Sequence, residues 1–375
     1  MEFASTHLRC SVQIDLCALE RNLKNVRRFL PRERGYIAFV PADAFGIGIS
    51  AAVARLMESG ADAFAVTNLA EAMQVRSVGL GWQIIVMSPS IVGEESFYFE
   101  NDITPVLATL EEVERFEKAG EKLGKTLAVH MRLPLKKPLI PDNIEAKKML
   151  NALLESKYLK FEAFCAPGTG SGAKERDIEV DADFLKDAAE ILKYKKIYIH
   201  HGDIFDYSRV PENFLTAIRI GLILFGVAPE ENSILKEFKP EQIMYFRTAI
   251  SQIKWLPKGA SVGYGNTYTL QKDTRIALIS AGYGDGMTRN AGGRTKVLVR
   301  GKFLPIIGRV SMDQACLDTT GLDDIKEGDE VILIGKSGEN EIKIEDYCRS
   351  MSIVAAQALC SITKRVPRYY KTLTY

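Results

Sequence analysis

The chain is poor in the residues that build metal centres and disulfide scaffolds. Only four histidines occur in 375 residues, and none has ligand spacing. His200 and His201 are adjacent and would point to opposite faces of a strand, so they could not easily share one ion. The six cysteines (Cys10, Cys17, Cys165, Cys316, Cys348 and Cys360) are scattered without a C-x-x-C pair. That pattern argues against a disulfide framework and for reduced thiols in a cytoplasmic protein; four of them lie in apolar runs expected to be buried. No apolar stretch approaches the roughly 18 residues a membrane-spanning helix requires. The N-terminal MEFASTHLRCSVQIDL lacks an h-region and reads as mature protein. There is no charge excess either: the net charge of +1 gives no case for nucleic acid or membrane as a partner. Internal sequence repeats and low-complexity tracts are absent.

What is present is a regular alternation. Apolar content of 46% over this length supports a sizeable core and about two domains, or one barrel plus an appendage. Eight β-rich runs fall in the first two-thirds: 36–40, 63–66, 83–88, 103–108, 127–133, 160–165, 196–200 and 219–226. Between them lie amphipathic stretches such as ALERNLKNVRRFL and LEEVERFEKAGEKLG, apolar at three- and four-residue spacing. Eight strand–helix units predict a (β/α)8 TIM-like barrel. After Gly226 the pattern changes. A polar, proline-bearing linker leads into β-rich runs with little helix between them, including TKVLVRGKFLPI, a hairpin turning at Arg300-Gly301-Lys302. The expected organisation is therefore a barrel over residues 12–232 followed by a C-terminal β domain over 233–375, with residues 1–11 packing against the latter.

Five strings carry chemistry. VPADAFGIG (40–48) follows the first strand and resembles the V-K-A-D-A-Y-G-H-G signature of the alanine racemases. VGYGNTYT (262–269), AGYGDGMTR (281–289), GRVSMDQACLD (308–318) and RVPRYY (365–370) resemble further strings of that family, in the same order. The resemblance spans nearly the whole chain; it is close in the β domain and poor in the barrel. It implies a PLP (pyridoxal phosphate) enzyme of fold-type III. Tyr264 stands at the second catalytic base, Tyr283 at the tyrosine of the substrate entrance, and Met312 and Asp313 at positions lining the substrate site. It further implies that Arg219 in AIRIGLILFG contacts the pyridine nitrogen and that Gly221 approaches the phosphate. Lys364 falls at a phosphate-binding tyrosine, where a cation could partly compensate. Taken without the resemblance, Arg219 also reads as a buried strand-end arginine held by carboxylates, and Tyr264 as a packed aromatic in a turn.

The same resemblance exposes a set of departures. Pro41 stands where the family lysine forms the Schiff base, and proline has no amine to form an imine or take a proton. Phe45 replaces a tyrosine, Ile47 a histidine, Leu139 the substrate-facing arginine, Pro167 the histidine near the pyridine ring and Ile204 a phosphate-binding serine. Asp203 adds a carboxylate beside the expected phosphate. The expected function is thus an alanine-racemase-like protein in which Schiff-base racemisation has been lost, a pseudoenzyme or small-molecule-binding homologue. Two active alternatives stand beside it. One is an amino-acid isomerase using noncovalent PLP, or an amine from Lys136, Lys137 or Lys364, with Tyr264 as base. The other is a PLP-free proton-transfer or lyase enzyme, suggested by the glycine-rich APGTGSGA (166–173), which can present N–H groups to an anion but lacks a Walker lysine. The family's head-to-tail homodimer would set Tyr264 of one chain opposite Pro41 of the other. No metal is expected.

Overall fold

The computed structural model describes residues 9–30, 35–134, 143–166, 182–192, 197–203, 210 and 214–373. Leu139, Pro167, Ile204, Lys136, Lys137 and all but the first residue of the glycine-rich segment lie outside these.

Eight parallel strands close into a barrel: Gly35–Phe39, Ala63–Val66, Gln83–Val86, Thr104–Leu107, Leu127–Arg132, Leu159–Cys165, Tyr198–His201 and Leu215–Ile220. The last pairs with the first, Ile37 opposite Arg219. Side-chain alternation along each strand separates two environments. Tyr36, Phe64, Ile84, Met131, Phe164 and Ile218 face the helices and join the main core. Ile37, Ala63, Ala65, Ile85, Val106, Cys165 and Ala217 point inward and form a separate cluster. The helices behave as their spacing predicts: Leu16–Phe29 is capped by Asp15, and Leu110–Leu123 by Thr109 and terminated by Gly124 in the left-handed region.

The eighth strand is displaced from its expected position. It runs over Leu215–Ile220, whereas 221–226 forms consecutive tight turns in which the amides of Leu224, Phe225 and Gly226 bond back to Gly221, Leu222 and Ile223. An apolar run was misleading here, because Leu224 and Phe225 are buried by turning inward and not by extending.

The second unit is a nine-stranded sheet in which Met244–Leu256 pairs with Thr274–Ile279, with Glu330–Ser337 and with Cys10–Asp15. The strand Cys10–Asp15 thus belongs to this sheet, and the expected domain start at residue 12 falls inside it. Lys296–Val299 and Lys302–Ile307 form the expected hairpin, with Arg300 and Gly301 both at positive φ. Two helices close the unit, Ile344–Met351 and Ala355–Ser361, before the last strand Arg368–Lys371. Four cysteines are buried, Cys316 is half-buried and Cys360 is exposed; all are free.

One segment breaks the ordinary rules. From Pro41 the chain makes a left-handed turn, with Ala42, Asp43, Ala44 and Phe45 at φ 50–58° and Gly46 at 75°. Left-handed conformation costs an L-residue about 1–2 kcal/mol, so four in a row need outside support. Glu71 accepts from the Ala42 amide at 2.6 Å, and Asp43 from the Ile49 amide at 2.8 Å. The C-terminal segment supplies the rest: Arg368 donates to the Gly46 carbonyl at 2.9 Å and the Tyr370 hydroxyl to the Ile47 carbonyl at 2.8 Å. Gly48, at φ 107°, lies so close that a Cβ there would run into the Tyr370 hydroxyl. Gly48→Ala is therefore expected to cost about 1–3 kcal/mol in urea unfolding, whereas Ser50→Ala on the exposed side of the next helix stays within about 0.5 kcal/mol.

Candidate functional site

The C-terminal ends of the barrel strands surround a cavity of about 460 Å³, in the place where this fold carries its sites. Phe39, Phe45 and Met87 form one wall, and Val354, Ala355 and Ala356 from the second unit another. Arg219 and Gly221 lie at its base, with Asp203 and Glu230 also lining it. The rings of Phe39 and Phe45 press against Gly221: a Cβ there would stand 3.3 Å from Phe39 and 3.4 Å from Phe45. Phe45 in turn packs edge-on against Phe225, 5.2 Å between centroids.

Arg219 is buried and its partners are not the carboxylates that a structural reading of the sequence supposes. It donates to the carbonyls of His200 (2.7 Å) and Ala166 (2.6 Å) and to His200 Nδ1 (2.8 Å). His200 Nε2 meets His130 Nδ1 at 3.0 Å. Burial, reinforced by the Arg219 charge, pushes the His130 pKa down to about 3 and that of His200 well below the usual imidazole value. Both imidazoles are therefore neutral.

Tyr264, Tyr283, Met312 and Asp313 are gathered elsewhere, on one face of the β unit. The Tyr264 amide donates to the Arg309 carbonyl at 3.2 Å, Tyr283 to Ser311 at 3.0 Å, and Gly284 to Met312 at 2.9 Å, which binds three motif strings side by side. Tyr264, Met312 and Tyr283 are 66%, 51% and 41% exposed. Sequence reasoning missed the residue that anchors this face. Asp285 is buried, accepts from the Gly282 amide at 2.8 Å and from Arg365 Nε and Nη2 at 2.9 and 3.0 Å, and pairs with Arg9 at 3.2 Å. Arg365 also reaches Asp313 at 2.9 Å. The string GYGDG contained this signal, since a carboxylate two residues after a tyrosine in a tight turn caps its own backbone.

The single chain therefore gathers the candidate residues in two separate places. Arg219 and Gly221 share the mouth cavity; Pro41, Lys364 and the β-face residues are not among the residues lining it. Pro41 is buried at the strand end and Lys364 is exposed. Among the described residues no cluster of three or more metal-ligating side chains occurs, and no helix is long and apolar enough to cross a membrane.

A closed parallel barrel with an appended all-β domain, with a cavity at the barrel mouth and tyrosines on the β face, defines the two-domain architecture of amino-acid racemases. Residues 14–229 match the family model for the alanine racemase N-terminal domain and residues 243–370 that for the C-terminal domain; the chain belongs to the alanine racemase family. It is 31% identical over 369 residues to the alanine racemase of Clostridium perfringens, covering 96% of this chain and 94% of that one. Among solved structures, alanine racemase of Clostridium difficile 630 superposes with a TM-score of 0.83 at 26% identity, over 97% of this chain and 96% of that one. The Bartonella henselae alanine racemase, solved with covalently bound pyridoxal phosphate, shares the fold at 22% identity and TM-score 0.82, over 97% of this chain and all of that one.

Two outcomes follow from the electrostatics. Between the ordinary imidazole pKa near 6.5 and about 3, the unfolded chain binds a proton at His130 that the folded chain refuses. Stability accordingly falls as pH drops through that window, by up to about 1.4 kcal/mol per pH unit for each such imidazole, and His200 adds in the same direction. Urea titrations at stepped pH will show this slope, and His130→Gln should flatten it. Asp285→Ala strips the Gly282 amide and Arg365 of their acceptor and should cost about 1–3 kcal/mol in thermal or urea unfolding.

Proposed function

We propose that this chain is an alanine-racemase scaffold whose barrel mouth has been re-cut for a small ligand other than lysine-bound pyridoxal phosphate. It then acts as a binding or inactive homologue and not as a Schiff-base racemase. The carrying observation is Pro41, at the end of the first barrel strand, where the family resemblance implies the lysine. The character of the cavity supports the same reading. Its described lining offers one cation, Arg219, and no lysine, serine, threonine, tyrosine or histidine. The two phenylalanine rings fill the space against Gly221 that a phosphate would need. Asp203, whose carboxylate accepts from Ser233 at 2.6 Å, sets a negative charge in the lining. Like charges about 4 Å apart repel by about 4 kcal/mol at an effective dielectric of about 20. The described lining does not fit the cofactor. The cavity favours a compact, largely apolar molecule without a phosphate.

The purified protein should therefore lack internal-aldimine absorbance, and borohydride treatment with added pyridoxal phosphate should fix no pyridoxyl group to any lysine. A pyridoxyl-lysine peptide in the digest would overturn the reading.

A second reading draws on the β face. Tyr264, Tyr283, Met312 and Asp313 are held in a hydrogen-bonded array that faces outward in a single chain. That arrangement suits a head-to-tail homodimer in which this face covers the partner's barrel mouth, with Tyr264 available as a base for an isomerase using noncovalent pyridoxal phosphate. Light scattering on the eluting protein should give twice the chain mass, and a monomer would remove the dimer. Solvent-deuterium exchange at Cα of alanine with added pyridoxal phosphate should be absent under the primary reading; exchange lost in Tyr264→Phe would establish the second.

A further inference from the structure

The opposite end of the barrel holds a second cavity, of about 500 Å³, which shares no lining residue with the mouth. It opens at the N-terminal ends of the strands and exists because the inward positions there are small. Gly35, Ala63, Ala163 and Ala217 stand where branched side chains ordinarily fill such a barrel. Its volume lies within the range of small-molecule pockets, and Phe161, Ile197 and Tyr198 give it an apolar wall.

The polar end of this cavity follows from Arg219. A guanidinium only donates, so His200 Nδ1, 2.8 Å away, must accept. His200 then carries its proton on Nε2 and donates to His130 Nδ1 at 3.0 Å. His130 in turn carries its proton on Nε2, and that N–H points at the lower cavity. The nearest group is the amide nitrogen of Gln83 at 3.4 Å, itself a donor. The two hydrogens of that nitrogen are engaged by Glu162 Oε2 at 3.0 Å and Thr104 Oγ1 at 3.3 Å. Exchanging the amide oxygen and nitrogen would give His130 an acceptor but would set a carbonyl oxygen 3.0 Å from the Glu162 carboxylate. In either orientation the cluster is one partner short among the described residues, and His130 is only 3% exposed.

We propose that this lower cavity is a binding site for a small uncharged molecule bearing a primary carboxamide. Its carbonyl oxygen accepts from His130 Nε2–H, its NH2 donates to the Glu162 carboxylate, and its hydrocarbon part lies against Phe161, Ile197 and Tyr198. A carboxylate ligand would meet Glu162 with like charge and find only neutral imidazoles. An ammonium ligand offers His130 no acceptor. Asp62, also in the lining, is ion-paired with Arg27 at 2.9 Å and accepts from the Tyr36 amide at 2.8 Å, whereas Glu162 has no ion-pair partner among the described residues and accepts from Gln83 at Oε2, which leaves Glu162 Oε1 as the receiving atom.

Propionamide, propionate and propylammonium are the probes, titrated into the full-length protein while the ring N–H resonances of the histidines are followed by NMR. Propionamide should shift the His130 Nε2–H signal saturably, and the two ions should not. Ala217→Phe, which fills the cavity, should abolish the shift. Should that variant fail to fold, Glu162→Leu at the exposed rim should weaken propionamide by about tenfold or more through loss of one charge-assisted hydrogen bond. No saturable shift with propionamide, an equal response to either ion, or a shift that survives both substitutions would overturn the proposal.

Discussion

A buried guanidinium with no carboxylate partner among the described residues organises the barrel interior. Arg219 leaves water on the last strand and is held by two backbone carbonyls and one imidazole. Desolvating such a charge costs several kcal/mol before its hydrogen bonds are counted, so every neighbour must accept or stay neutral. That requirement fixes the tautomer of His200, through it that of His130, and through both the direction in which the barrel's polar column points. Arg219 thus sets a positive charge at the base of the mouth cavity and an outward-facing N–H at the base of the lower one.

The second constraint ties the two units together. A left-handed turn of four non-glycine residues needs outside support, and much of it comes from the far end of the chain: Arg368 and Tyr370 grip its carbonyls, while a Cβ on Gly46 would meet the backbone of Leu359 at 2.8 Å. Strings that are more than 300 residues apart, VPADAFGIG and RVPRYY, are therefore two halves of one contact. With Pro41 at its head, the turn is sustained by the grip of the C-terminal segment, by the Glu71 and Asp43 side chains and by the burial of Ala44 and Phe45.

Much of the barrel was legible because its signal is local. Ala63–Val66 coincides with its apolar run, and Leu110–Leu123 with its helical spacing, since period-2 and period-3.6 burial write themselves into short windows. The eighth strand was shifted because Gly221 turns the chain while the apolar run continues. The left-handed turn was invisible, because Ala and Phe disfavour that conformation and a lone Asp, though tolerant of it, does not signal a run of four. Of the candidate residues, Arg219 and Gly221 meet in one cavity and Tyr264, Tyr283, Met312 and Asp313 on one face. Asp285 escaped notice because its importance comes from Arg9 and Arg365, each more than 70 positions away.

The order of the motif strings and the strand–helix alternation were enough, by themselves, to define the family architecture, since both depend on near neighbours and on side-chain chemistry. The absence of an amine at Pro41 was equally a matter of sequence, because no fold can give proline one. Only the tertiary structure decided which residues share a cavity, that Arg219 rests on carbonyls and histidine, and that the barrel has an open lower end. Those outcomes depend on contacts between distant segments and on the volume left when small side chains point inward, and neither quantity is carried by any single stretch of chain.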